Sequence, residues 1–280
     1  MLSGPSSGEW IAALRRAVEA QKKVFSEHVG IEARTQYEGI GEGGDRTLVI
    51  DRLCEDALFA ELDMLHEAGH EFTAVSEERG TVQFGDGGGT GDSPLLVVID
   101  PIDGSLNARR TVPLHSLSVA VASGESMADV GLAYVYEFGA GEEFISVAGE
   151  GASLDGRPMR VAEGDGLEVV AMEASKPARI IAACDVLDGR AYRIRCPGSI
   201  AVSLSYVACS RFDGMISTRP CRSVDAAAAQ LLVSEAGGVV EFGSQAPSQT
   251  GLDLDSRFEI AAARTPGDLA TLREAQAAVR

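Results

Sequence analysis

LLVVIDPIDGSLN, residues 95–107, is the stretch from which the rest of the chain is read. Leu95 to Ile99 are five apolar, mostly branched residues, the pattern of a buried central strand. The run ends in Asp100, Pro101, Ile102, Asp103, Gly104 and Ser105. Pro101 fixes φ between the two carboxylates, and Gly104 permits a sharp turn. Carboxylates held this close at the tip of a stiff strand repel unless something positive sits between them. Hard divalent cations with oxygen ligands, Mg2+ above all, meet that need. Asp, Pro and Gly are also ordinary turn residues, so a bare DPxDG reads first as a surface turn. The apolar strand running straight into it, with Ser105 and Asn107 behind, favours a site.

Bulk properties narrow the function classes. The 280 residues can bury a large core, as one domain or two halves. A formal charge of -18 repels nucleic acid and anionic membranes, so neither is an expected partner. A phosphate site in such a protein must be locally positive, through metal ions, arginines or helix N-termini. The five cysteines form no CxxC pair and are odd in number, which fits free thiols in a reducing compartment. The first residues lack a basic flank followed by an apolar run, and no apolar stretch approaches the roughly 20 residues that span a bilayer. The expected location is the cytoplasm.

Working outward from the motif, Ser6 and Glu9 have capping-box spacing, with Trp10, Ile11, Leu14 and Val18 at helical intervals. Residues 47–50 read as a strand that ends at Asp51, before a helix stopped by Gly69. Locally, Asp51 is either a helix cap or a site residue. Residues 72–76 read as a strand entering Glu77 and Glu78. Residues 80–93, with GDGGGTG, lack a Gly-Lys-Ser/Thr ending and read as a flexible hairpin rather than a phosphate cradle. Arg109 and Arg110 follow the motif and meet either a substrate phosphate or solvent. Strands are expected at 116–122, 130–136 and 143–147, then a hairpin from Gly151, and a further strand at 179–184. Gly198-Ser199 opens a helix at 200–209 and offers backbone N–H groups and a hydroxyl, or a plain cap. A strand at 213–217 precedes Asp225, which opens an alanine-rich helix closed by Gly237-Gly238.

The run Asp100-Pro101-Ile102-Asp103-Gly104-Ser105 resembles the metal-binding motif of the inositol monophosphatase family. This is the Mg2+-dependent, lithium-sensitive phosphatase superfamily that includes fructose-1,6-bisphosphatases. Two other stretches resemble it too: the Glu77-Glu78 pair after a strand, and Asp225 opening a helix that closes in Glu235-Ala236-Gly237-Gly238. The likeness runs from about residue 39 to 238. It implies an α/β (α+β) fold, a layered αβαβα sandwich, with one half at 1–164 carrying Glu77 and the DPIDGS motif and a second at 165–280 carrying Asp225. It implies two or three Mg2+ ions, with Li+ inhibition. Glu77, Asp100 and the carbonyl of Ile102 would hold one ion; Asp100, Asp103 and Asp225 would hold another. Asp51 and Ser105 would orient the attacking water, with Glu77 contributing to catalysis through the metal. Gly104 and Ser105 would receive the phosphate, and Gly198 and Ser199 the sugar or polyol. Arginines Arg195, Arg219 and Arg222 complete the implied substrate set.

The animal inositol phosphatases carry tryptophan before the aspartate and a glutamate upstream of it. This chain has Val224 and an arginine-rich run, and so looks more like the archaeal dual-specificity branch. The expected function is Mg2+-dependent hydrolysis of a small phosphorylated metabolite, inositol 1-phosphate or fructose 1,6-bisphosphate, by a homodimer. The alternatives are a 3'-phosphoadenosine nucleotide phosphatase, or a non-catalytic relative associated with RNA complexes.

Overall fold

The apolar run at residues 95–99 is a central strand because both of its faces are covered. A computed structural model describes residues 4–40, 46–85, 95–164, 166–173 and 176–279. The glycine-rich stretch after Gly85 lies outside the described residues. Eight strands form the larger sheet: β1 (Phe72–Ser76), β2 (Gly80–Phe84), β3 (Leu95–Asp103), β4 (Ser116–Ala122), β5 (Val130–Glu137), β6 (Glu142–Val147), β7 (Gly151–Leu154) and β8 (Arg157–Met159). Their spatial order is β8-β7-β6-β5-β4-β3-β1-β2, and β1 runs parallel to β3. A smaller sheet takes β9 (Leu167–Glu173), β10 (Ala191–Arg195), β11 (Gly214–Ser217), β12 (Val239–Glu241) and β13 (Ala261–Ala263), in the order β10-β9-β11-β13-β12.

The helices are α1 (Ser7–Glu27), α2 (Val49–Glu67), the short α3 (Ser105–Arg109), α4 (Pro177–Leu187), α5 (Ile200–Ala208), α6 (Ser223–Glu235) and α7 (Pro266–Ala277). Side chains alternate across a strand, and the larger sheet uses both faces. Val97, Ile99, Val119 and Tyr134 pack with Trp10 and Leu14 of α1 and Leu58 and Leu62 of α2. Val98, Ala120 and Ala133 point the other way, into a core shared with α5, α6 and the smaller sheet. The far face of that smaller sheet packs on α4 and α7 through Ala183, Leu187, Leu269 and Leu272. The result is the expected five-layer αβαβα sandwich.

The middle layer explains the alanine run. Ala226 to Ala229 are all buried, since α6 lies between two sheets and is apolar on every side. Small side chains let both sheets approach. Its end is set by the paired glycines: Gly237 has φ +90°, and a Cβ on Gly238 would sit 3.0 Å from the Ala263 carbonyl oxygen.

Several local expectations are corrected. Residues 179–184 are not a strand but the interior of α4. Pro177 is preset for a first helical turn, and Ala183 and Leu187, one turn apart, are the buried positions. The strands of this region are β9 and β10, neither of which the sequence reading found. Residues 80–84, read as part of a flexible hairpin, are strand β2, paired antiparallel with β1. The strand before Asp51 ends at Leu48, which places Asp51 in the first turn of α2 rather than at its cap. The capping box at Ser6 and Glu9 is present as expected. Among the described residues, no helix is long and apolar enough to cross a membrane.

Trp10 is fully buried and meets Phe72 edge-on at 5.2 Å. Trp10→Ala should lower stability by about 3–5 kcal/mol, seen as an earlier denaturation midpoint at unchanged slope.

Candidate active site

Three structural devices bring the acids together. The first is register. Ser76 pairs with Ile99 across the parallel β1–β3 ladder, so the next residues, Glu77 and Asp100, emerge side by side. The second is an irregularity in β3. Asp100 faces Ser118 and Asp103 faces Ser116, so Pro101 and Ile102 together stand opposite Leu117 alone. Pro101 has no N–H to give the ladder, and a bulge is where a sheet accommodates that. The third is α6, which delivers Asp225 in its first turn, where its carboxylate accepts the Arg222 N–H at 2.9 Å.

Carboxylate oxygens of Glu77, Asp100 and Asp225 all lie within 4.8 Å of one another. Asp103 stands beside them, but one of its oxygens is engaged. Oδ2 accepts the Ser199 hydroxyl and, at 2.7 Å, the Ala201 N–H at the start of α5. Asp100 Oδ1 accepts the Ile102 N–H at 3.0 Å. The Ile102 carbonyl accepts the Ser105 hydroxyl at 3.2 Å. Gly104 has φ +90°, and a Cβ there would lie 2.9 Å from the Leu114 carbonyl oxygen, so the turn has room only for glycine.

The charges are poorly compensated. Burial, then Glu77, Asp103 and Asp225, push the Asp100 carboxyl well above the usual carboxylate range. Asp103 is pushed up to about 7 by burial and then by Asp225. Asp225 is pushed up to about 6 by burial first, although the Arg222 N–H works against the rise. Arg222 also donates to Glu77 from its guanidinium. Oxygen donors that are buried or half-buried, close and held against their own repulsion suit a hard divalent cation.

The acids open into a cavity of about 500 Å³ that Gly104, Ser105, Arg219, Arg222 and Arg257 also line. A second cavity of about 410 Å³ lies alongside, walled by Asp51, Glu78 and Arg109 and sharing Glu77 and Ser105 with the first. Asp51 is buried, and no described residue hydrogen-bonds its Oδ1. Its carboxyl is pushed up to about 7 by burial, then by Glu78 and Glu77. Arg109 donates to the Tyr37 hydroxyl at 2.5 Å.

Other expected residues are placed differently. The Gly198 N–H is not free; it donates to Glu173 Oε2 at 3.0 Å. Ser199 spends its hydroxyl on Asp103. Neither lines the cavity, because their turn joins the DPIDGS loop: Asn107 Nδ2 donates to the Pro197 carbonyl at 2.7 Å. Arg195 is exposed at the end of β10, with its guanidinium on the Ile194 carbonyl. Two residues escaped the sequence reading. Arg257 reaches the cavity because residues 257–258 pair with 221–222, a pairing with no local signal. Glu173 was missed along with its strand. His115, just before β4, is buried and stacked on Phe138 at 5.5 Å.

A sequence model of the inositol monophosphatase family matches residues 9–278. The chain is 31% identical over 243 residues to a fructose-1,6-bisphosphatase/inositol-1-monophosphatase of Methanothermobacter thermautotrophicus, covering 82% of this chain and 83% of that one. A protein of the same description from Thermococcus kodakarensis is 33% identical over 230 residues, with 81% of each chain covered. A crystal structure of an inositol monophosphatase–fructose 1,6-bisphosphatase superposes with a TM-score of 0.80 over 95% of this chain and 99% of that one. At 24% identity, that likeness speaks for the fold.

The surroundings of Glu173 predict a pH dependence. Burial pushes its carboxyl up to about 8 from an ordinary 4.5, although Ser203 and Gly198 donate to it. The native state therefore holds a proton that the unfolded chain releases. The stability this contributes is full below about 4.5 and is lost as pH rises through about 8. Glu173→Gln cannot titrate, so wild-type stability measured relative to this variant should fall across that window. Parallel stability–pH curves for the two proteins would show that Glu173 ionises normally.

Proposed function

The chain belongs to the inositol monophosphatase family, and from that premise we propose that it is a Mg2+-dependent phosphomonoesterase acting on small sugar or polyol phosphates, inositol 1-phosphate and fructose 1,6-bisphosphate among them. The observation that carries the reading is the convergence of Glu77, Asp100 and Asp225 from two strands and a helix on one point. Glu77, Asp100 and Asp225 would hold the cations, with Asp103 and the Ile102 carbonyl completing the set. Bound there, Mg2+ supplies charge for the phosphoryl oxygens and acidifies water, and Li+ should inhibit by competing for the site.

Phosphate monoesters are among the slowest bonds to hydrolyse, and their cleavage depends mostly on positioning and charge. The chain's own groups supply the positioning. The backbone at Gly104 and Ser105 receives the phosphate. Asp51, with an unpartnered buried oxygen, orients the attacking water and accepts its proton, with the Ser105 hydroxyl as second partner. The two cavities meet at Glu77 and Ser105, so water approaches from the Asp51 side while the ester oxygen leaves toward the arginines. Arg219, Arg222 and Arg257 line the leaving side. Guanidinium groups match phosphate oxygens two at a time, which favours a substrate with a second phosphate.

The same reading divides the chain into halves at 1–164 and 165–280, and Asp225 of the second would hold a cation together with the acids of the first. It places the protein in the cytoplasm, in keeping with its free cysteines, as a homodimer in keeping with family habit. The retained acids argue against a non-catalytic RNA-associated role.

Phosphate release should be assayed over a panel of inositol 1-phosphate, fructose 1,6-bisphosphate and 3'-phosphoadenosine nucleotides, with and without Mg2+ and Li+. Turnover should require Mg2+, and Asp225→Asn should lower it by at least about a hundredfold, since even partners outside a metal's ligands cost up to that much. Near-normal turnover in Asp225→Asn would refute the reading.

A further inference from the structure

Glu55 lies one helical turn beyond Asp51 on α2 and is 1% exposed. Glutamate is seldom buried so completely without a charged or hydrogen-bonded partner. Its carboxylate does not line the catalytic cavities. It reaches the other side of the turn that carries Glu77. One oxygen accepts the hydroxyl of Ser76, the last residue of β1. The other stands 3.5 Å from Arg79 Nε. Ser76 pairs with Gly80 across the β1–β2 hairpin, so Glu77, Glu78 and Arg79 make up the whole turn. Glu55 therefore grips the residue just before Glu77 and the last residue of the same turn. Arg79 is fixed to α2 twice more: it pairs with Asp56, and its guanidinium lies 4.2 Å over the Phe59 ring.

A buried charge stabilises a fold only when its geometry is good, and an apolar residue would serve the core at least as well. Leu58 and Cys54 show that this face of α2 otherwise takes apolar side chains. What Glu55 adds is orientation. The helix that bears Glu55 also bears Asp51, so a turn locked to Glu55 is locked at a set distance from Asp51. Arg222, from beside α6, also pairs with the Glu77 carboxylate.

We propose that Glu55 is a positioning residue of the cation site: through Ser76 and Arg79 it ties the Glu77 turn to α2, and so aims the Glu77 carboxylate at Asp100 and Asp225. The inference rests on reading those three acids as a cation site, and deepens it.

The test is direct binding of Mn2+ alone to the full chain, followed by the loss of the free-ion paramagnetic resonance signal well below the unfolding temperature. Wild type, Asp225→Asn, Ser76→Ala, Glu55→Gln, Glu55→Ala and the double variant Glu55→Ala/Ser76→Ala are compared. Groups that orient metal ligands typically contribute about 10–100-fold in affinity. Ser76→Ala and Glu55→Ala should each weaken binding by at least about tenfold. Glu55→Gln, which keeps an oxygen for the Ser76 hydroxyl, should recover part of the loss. The double variant should be no worse than Glu55→Ala, because both changes break one linkage. Ser76→Ala removes a single hydroxyl and reports on the linkage even if Glu55→Ala does not fold. Wild-type affinity in Ser76→Ala and in Glu55→Gln, with Asp225→Asn weakened, would remove the positioning role and leave the cation site standing. Unchanged binding in Asp225→Asn would overturn both.

Discussion

Repulsion among buried carboxylates is the constraint around which this structure is built. Asp100 and Asp103 are buried, with the half-buried Asp225 and Glu77 beside them. Bringing like charges out of water costs several kcal/mol per ion in real proteins. No arrangement of apolar neighbours removes that cost. The protein meets part of it with its own groups: the start of α5 and Ser199 on Asp103, the Ile102 N–H on Asp100, Arg222 on Glu77 and Asp225. The remainder appears as proton affinities raised far above those of ordinary carboxylates.

Holding such groups together requires a frame that does not yield, and each layer contributes to it. The larger sheet sets Glu77 and Asp100 at adjacent positions of a parallel ladder. A proline-bearing bulge turns Asp103 toward the same cavity. The alanine-rich α6 passes close between two sheets and presents Asp225 from the opposite side. The turn at Pro197 to Ser199 joins these parts. Asn107 spans its carbonyl and that of Leu114, while Glu173 takes its N–H.

The parts of the fold legible in the sequence were those with a short-range signal. The apolar run into Asp100, the capping box at Ser6 and the Ala-run closed by Gly237-Gly238 each carry their own period or terminal residue. The layered architecture came from the resemblance that the metal motifs carry. Strand β9 lacked such a signal: LEVVAME mixes charge with apolar residues because its Glu173 is buried for a purpose that only tertiary contacts reveal. Helix α4 was misread because Ile180 and Ile181 suggest a strand, while Pro177 and the Ala183–Leu187 interval mark a helix. In the site, Asp100 and Asp103 could be picked out because two carboxylates around a proline are a local pattern, whereas Glu77 and Asp225 were picked out by the family resemblance. Arg257 and Glu55 could not, since one arrives by a two-residue pairing 35 positions from Arg222 and the other acts through residues on a different element.

On the function proposed above, these acids share cations. Crystals soaked in Mn2+ and measured at a wavelength where manganese scatters anomalously test it most directly. The expected result is an anomalous peak bonded to oxygens of both Asp100 and Asp225, with Glu77 turned from Arg222 toward the ion. A saturating soak that leaves no peak among these residues, with Arg222 still on Glu77, would contradict it.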